Sequence, residues 1–141
     1  MDKINKSEEE WRSLLTAEEY HVLREKGTES PFTGEYVDTS VPGTYVCRAC
    51  GAQLYSSGAK FESHCGWPSF YEAINSSAIT QTPDHSFGMV RTELTCSCCG
   101  SHLGHIFTDG PRPTGMRHCI NSISLLFRSD NPAPDKTDDQ E

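Results

Sequence analysis

Cys47-Arg48-Ala49-Cys50-Gly51 and Cys96-Ser97-Cys98-Cys99-Gly100 repeat one pattern, Cys-x-x-Cys-Gly, at two distant places in the chain. Two such knuckles offer four thiolates in a tetrahedron, the donor set of a closed structural zinc site. The trailing glycine suits a tight turn whose amides approach the sulfurs. Aligning the copies pairs Cys96 and Cys99 with Cys47 and Cys50 and leaves Cys98 outside the set. The knuckles are 46 positions apart, so one structural zinc would clip distant segments and close a long loop. Two redox-active dithiols would use the same motif, but they belong in a βαβ setting that is not legible here.

The other thiols have reactive neighbours. In Gly115-Met116-Arg117-His118-Cys119-Ile120-Asn121-Ser122, a strand with period 2 places Arg117, Cys119 and Asn121 on one face. A guanidinium beside a thiol favours the nucleophilic thiolate, and an asparagine amide can orient a polar ligand. A buried core cysteine fits the same segment. Cys65-Gly66-Trp67-Pro68-Ser69-Phe70 puts a second thiol before a rigid turn, with Trp67 able to pack in the core or to wall a small apolar pocket. His102 and His105 are three residues apart and suited to proton transfer near neutral pH. Asp109 follows, within reach of a ring nitrogen or a loop amide.

These residues need a scaffold. Ser7-Glu8-Glu9-Glu10 and Thr16-Ala17-Glu18-Glu19 are capping boxes. Each starts a short amphipathic helix, the second stopped by Gly27, so 7–27 is a helical N-terminal segment. From 43 to 128 the chain reads as a β core. Short segments rich in β-branched and aromatic residues are punctuated by glycine, proline and serine: Tyr45–Val46, Gln53–Tyr55, Phe70–Ile74, Met89–Thr95 and Ile120–Arg128. In the last of these Ile123, Leu125 and Phe127 give one apolar face. Residues 130–141 read as a disordered acidic tail after a single catalytic domain over 1–129.

Composition agrees with that picture and excludes others. Only 35% of the 141 residues are hydrophobic, which predicts a loop-rich fold helped by something other than apolar burial. The net charge is −8 and the 12 Lys and Arg are scattered, with no basic stripe for nucleic acid. No apolar run reaches membrane-spanning length, and the acidic start is unlike a signal peptide, so a soluble cytoplasmic protein is expected. In that compartment seven cysteines point to metal binding or redox catalysis rather than to structural disulfides.

The motifs Cys-Gly-Trp-Pro-Ser-Phe, His-Leu-Gly-His-x-Phe-x-Asp-Gly-Pro, Pro-Thr-Gly and Arg-x-Cys-x-Asn-Ser resemble, in order, those of the methionine-R-sulfoxide reductase B family. The resemblance runs from about Leu15 to Phe127. It implies a mainly β, tent-like fold of two antiparallel sheets with short N-terminal helices, clipped by zinc on Cys47, Cys50, Cys96 and Cys99. It implies Cys119 as nucleophile, Cys65 as resolving thiol, His105 helped by His102 as proton donor, and Trp67 as wall of the methyl pocket. Asp109, Arg117 and Asn121 would shape the site and its charge. The implied activity is reduction of methionine-R-sulfoxide in proteins or peptides by a monomer that thioredoxin recycles. His118 stands where Tyr or Phe is frequent in the family, and Cys98 is an extra thiol. A non-catalytic, zinc-clipped β binding module and a general dithiol oxidoreductase are the alternatives.

Overall fold

The computed structural model describes residues 6–29, 33–34, 36, 41–85, 88 and 90–129. The expected tail at 130–141 and the first residue of the expected strand Met89–Thr95 lie outside them. Both capping boxes form. Ser7 caps α1 (Glu8–Leu14) with Glu10 reaching back, and Thr16 caps α2 (Ala17–Glu25) with Glu19 doing the same. The second helix ends one residue earlier than Gly27 predicts, because Lys26 itself takes the left-handed turn at φ 60°. Trp11 is fully buried under the Arg24 guanidinium, 4.8 Å from its ring. Arg24 also donates to the Cys99 carbonyl at 2.9 Å and so ties α2 to the second knuckle.

The described strands form two antiparallel sheets. One has three strands in the order β2 (Gln53–Ser56), β1 (Gly43–Cys47), β9 (Leu125–Ser129). The other orders β3 (Lys60–Phe61), β4 (Ser69–Phe70), β8 (Arg117–Ile120), β7 (His102–Phe107), β6 (Arg91–Cys96) and β5 (Ile79–Asp84). The expected last strand, Ile120–Arg128, is therefore two strands in different sheets, separated by a 3₁₀ turn at Ser122–Ser124. The turn is held by polar bonds that the apolar pattern cannot reveal. The Glu29 carboxylate accepts from the amides of Ser122 and Ile123, and Ser124 Oγ donates to the His102 carbonyl. The expected strand Phe70–Ile74 shortens to Ser69–Phe70, after which the Ile74 amide bonds to the Leu54 carbonyl.

Between the sheets lies an aromatic core. Tyr55 stacks on Phe70 at 4.4 Å, and Tyr45 meets Phe70 and Phe127 at 5.2 and 4.9 Å. His118 points into this core, with Nδ1 2.9 Å from the Tyr55 hydroxyl. Burial pushes its imidazole down to about 4. In the unfolded chain the ring titrates near 6.5, so between the two values the unfolded state binds more protons. The stability it contributes is complete above about pH 6.5 and drains away as pH falls toward 4. Urea melts should show this one group removing up to about 3 kcal/mol between pH 7 and pH 4. His118→Phe should flatten that part of the curve, and an unchanged slope would contradict the assignment. No helix among the described residues is long and apolar enough to cross a membrane.

Candidate active site

The two knuckles meet. Cys47 ends β1 and Cys96 ends β6; Cys50 and Cys99 sit in the turns that follow. Gly51 and Gly100, at φ 82° and 78°, close those turns with amides bonded back to the Cys47 and Cys96 carbonyls at 2.8 Å. The four sulfurs lie within 4.8 Å of one another. Short contacts run between the knuckles, Cys47–Cys99 at 3.7 Å and Cys50–Cys96 at 3.6 Å. Sulfurs about 2.3 Å from a tetrahedral metal have edges of about 3.8 Å, so the set fits a four-thiolate metal site. Cys98, in the same turn, faces a different cavity of about 360 Å³ lined with Ala52, Asn75 and Ala78.

A second thiol cluster lies on the six-stranded sheet. Cys119 is in β8, opposite Ser69 of β4 on one side and His105 of β7 on the other. Gly104 lets β7 come this close: a Cβ there would fall 1.9 Å from the Cys119 carbonyl oxygen. The turn before β4, folded by Gly66 at φ 95°, carries Cys65 Sγ to 3.2 Å from Cys119 Sγ. None of the seven cysteines is in a disulfide. Closing this pair to a bond of about 2.05 Å would need a shift of little more than 1 Å.

At 3.2 Å the two sulfurs share a hydrogen bond and titrate as a pair. The hydrogen bond from Cys119 pulls the Cys65 thiol down to about 4 against the cost of its burial. The same contact and burial push Cys119 up, with Arg117 opposing. The first proton of such a pair leaves easily and the second with difficulty. The easily lost proton belongs to the pair, and Arg117 favours the thiolate form of Cys119 within it, as the sequence pattern expects. The Arg117 guanidinium meets the Asp109 carboxylate at 2.9 and 3.3 Å while it also faces the Cys119 sulfur. The Asp109 carboxylate meets this arginine and, as the sequence allowed, a loop amide, its own; the two hold it below the usual carboxylate range, and no histidine contact to it is found among the described residues.

Around the sulfurs is a pocket of about 290 Å³ walled by Trp67, His105, Phe107, Arg117 and Asn121. Trp67 Nε1 donates to the Glu29 carbonyl at 2.9 Å, and the Glu29 amide donates to Asn121 Oδ1 at 3.0 Å. One residue just beyond the N-terminal helical segment thus pins two pocket walls. His105 Nε2 is 2.8 Å from Asp84 Oδ2, which fixes the ring. His102 does not line this pocket. It is buried behind His105, ring centroids 5.6 Å apart, with Nδ1 2.8 Å from Glu93. Burial holds His102 below its ordinary value. Lys26 Nζ lies 3.1 Å from the other Glu93 oxygen. The sequence pattern did not single out Glu29, Asp84 or Glu93.

Residues 15–129 match the family described as the SelR domain. The chain is 54% identical over 137 residues to the peptide methionine sulfoxide reductase MsrB of Acinetobacter baylyi, covering 97% of this chain and 99% of that protein. It is 56% identical over 125 residues to the MsrB of Teredinibacter turnerae, with 89% and 93% covered. A third MsrB, from Acinetobacter baumannii, is 52% identical over 137 residues. A family match over most of the chain, near-full-length likeness to these enzymes, and two thiols facing each other in a walled pocket lead to one assignment: the chain belongs to the MsrB family of peptide methionine sulfoxide reductases.

Proposed function

We propose that the chain reduces methionine-R-sulfoxide with Cys119 as nucleophile, Cys65 as resolving thiol, thioredoxin as reductant and one structural zinc. The observation that carries this reading is the 3.2 Å contact between Cys65 and Cys119 sulfurs, residues 54 positions apart, inside a pocket that also presents an imidazole and an indole. Moving the shared proton to Cys65 across that contact leaves Cys119 as the thiolate. It bonds to the sulfoxide sulfur while a proton from His105 reaches the oxygen; the S–O bond to methionine then breaks as that hydroxyl passes to the Cys119 sulfur, and the new S–S bond breaks with its electron pair left on methionine. The oxygen ends on Cys119 as a sulfenic acid and methionine departs reduced by two electrons. Cys65 then attacks the Cys119 sulfur. A disulfide forms and hydroxide leaves with the Cys65 proton as water. The thioredoxin dithiol restores both thiols by exchange.

The neighbours have defined tasks in this scheme. Asp84 orients His105, and His102 backs it from the core. Trp67 and Phe107 give the substrate methyl and thioether an apolar wall, and Asn121 orients the polar end. Asp109 and Arg117 set the charge beside Cys119. The scheme is that of a monomer. A chain whose seven cysteines serve metal binding and redox catalysis suits the cytoplasm. Assaying both sulfoxide epimers with thioredoxin tests the proposal. The R epimer should turn over and the S epimer should not; the reverse, or neither, would overturn it.

Cys47, Cys50, Cys96 and Cys99 would hold the zinc, whose contribution is a cross-link between β1 and β6 and no part of the reaction. The purified protein should carry about one zinc per chain. Cys50→Ser or Cys96→Ser should cost the metal and most of the thermal stability, because metal-binding energy in such a site is folding energy. Metal analysis and thermal melts check this. A metal-free variant that melts like the wild type would contradict it.

A further inference from the structure

Two serine hydroxyls crowd the Cys65 sulfur, and the reaction scheme above gives them no task. Ser63 Oγ donates to Cys65 Sγ at 3.0 Å. Ser69 Oγ lies 3.4 Å from the same sulfur and 2.6 Å from Ser63 Oγ. Ser69 is almost fully buried and is the register partner of Cys119, so this cradle belongs to the sheet and not to a loose loop.

We infer that Ser63 and Ser69 form a hydroxyl cradle that holds Cys65 as a thiolate for its attack on oxidised Cys119. They are then positioning residues of the second chemical step. The inference rests on Cys65 being the resolving thiol. Its basis is the arrangement of donors. A thiolate is acceptor-only, and the half-buried sulfur has no cation bonded to it among the described residues. After the first step Cys119 is a sulfenic acid and Cys65 carries the shared proton, which it passes toward the departing sulfenic oxygen as it attacks, so its sulfur becomes a thiolate with no Cys119 S–H to bond. The serine hydroxyls then become the principal donors left to the Cys65 charge.

The rotors of the two hydroxyls suit each state in turn. With Cys65 protonated, its S–H can donate to the Trp67 carbonyl at 3.4 Å. With Cys65 ionised, Ser63 turns its proton to the sulfur while Ser69 donates to Ser63 or to the sulfur directly. Once the disulfide has formed, Ser69 can donate to the Trp67 carbonyl at 3.2 Å instead. No buried hydroxyl is stranded at any stage. Two neutral donors also stabilise the charge without tying it into an ion pair, so the sulfur keeps its nucleophilicity. The low position of the Cys65 thiol in the resting pair, to which both hydroxyls contribute, agrees with this role.

Single-turnover experiments test it. Protein reduced and freed of thiols is mixed with one equivalent of methionine-R-sulfoxide, and methionine and the Cys65–Cys119 disulfide are followed separately from pH 4.5 to 9. In Ser63→Ala/Ser69→Ala, methionine should still form to about one per chain. Disulfide formation should slow by about tenfold or more at the acid end, the scale of losing hydrogen bonds to a charged group. It should return to the wild-type rate at alkaline pH, where Cys65 ionises without help. Ser63→Thr, which keeps the hydroxyl, should restore the acid rate. Ser63→Ala alone, at a half-buried site, gives the same readout if the double variant folds poorly. Slowing by the same factor at every pH, or no slowing, would overturn the cradle. The foundation fails separately: if Cys65→Ser forms a disulfide and cycles with thioredoxin, Cys65 is not the resolving thiol.

Discussion

Cys119→Ser should lower sulfoxide reduction by at least about a thousandfold, with thioredoxin or with a small thiol as reductant. A serine hydroxyl is not appreciably ionised near neutral pH, and its oxygen is a far poorer nucleophile toward sulfur. The substitution is nearly isosteric, so structure should survive. Cys119 holds its place through β-ladder bonds to β4 and β7, made by backbone atoms. Zinc content and thermal midpoint therefore serve as controls and should match the wild type. Loss of both thioredoxin-dependent turnover and the single-turnover burst identifies the chemical step as the one removed. Turnover at the wild-type rate would end the assignment of Cys119 as nucleophile, and with it the scheme built on this pocket.

Why the cysteines stood out in the sequence, when the carboxylates that support the pocket did not, has a physical explanation. Cysteines are scarce and their spacing is informative: a doubled Cys-x-x-Cys-Gly accounts for four of seven, and the sulfurs meet as that pattern requires. Capping boxes are equally local, and both helix starts fall where Ser7 and Thr16 predict. Carboxylates carry no such mark. Glu93 alternates with Leu94 along β6 and looks like a solvated position, yet it is buried against His102 and Lys26. Asp84 ends β5, an edge strand with Pro83 and an exposed polar face that hides its strand character. Strand β7 is buried on both faces over much of its length, so His102 to Phe107 shows no alternation to read.

The misses share a cause. The break at Ser122–Ser124 and the pairing of Asp109 with Arg117 are both settled by partners distant in sequence or by loop geometry. Glu29 is the clearest case. Its backbone and carboxylate together fix Trp67, Asn121 and the 3₁₀ turn, 38 to 94 positions away. No periodicity announces a residue whose whole effect is long-range.

Cys65→Ser should separate the two chemical steps. The first should survive, giving about one methionine per chain, because Cys119 and the pocket walls remain. The sulfenic acid then has no partner thiol and accumulates, where a sulfenic-specific reagent can label it. Thioredoxin-dependent turnover should fall by about a hundredfold or more, since a dithiol of that kind acts on disulfides. A small thiol such as dithiothreitol can reduce the sulfenic acid directly, so turnover with it should be largely spared. The rival for this role is Cys98. It lies in the second knuckle's turn and faces another cavity, whereas the Cys65 sulfur is already 3.2 Å from Cys119. Cys98 does not line the pocket around Cys119, and it sits in the turn that carries Cys99 of the four-thiol cluster. Cys98→Ser should therefore cycle normally. Normal thioredoxin turnover in Cys65→Ser, lost only when Cys98→Ser is added, would transfer the resolving role to Cys98.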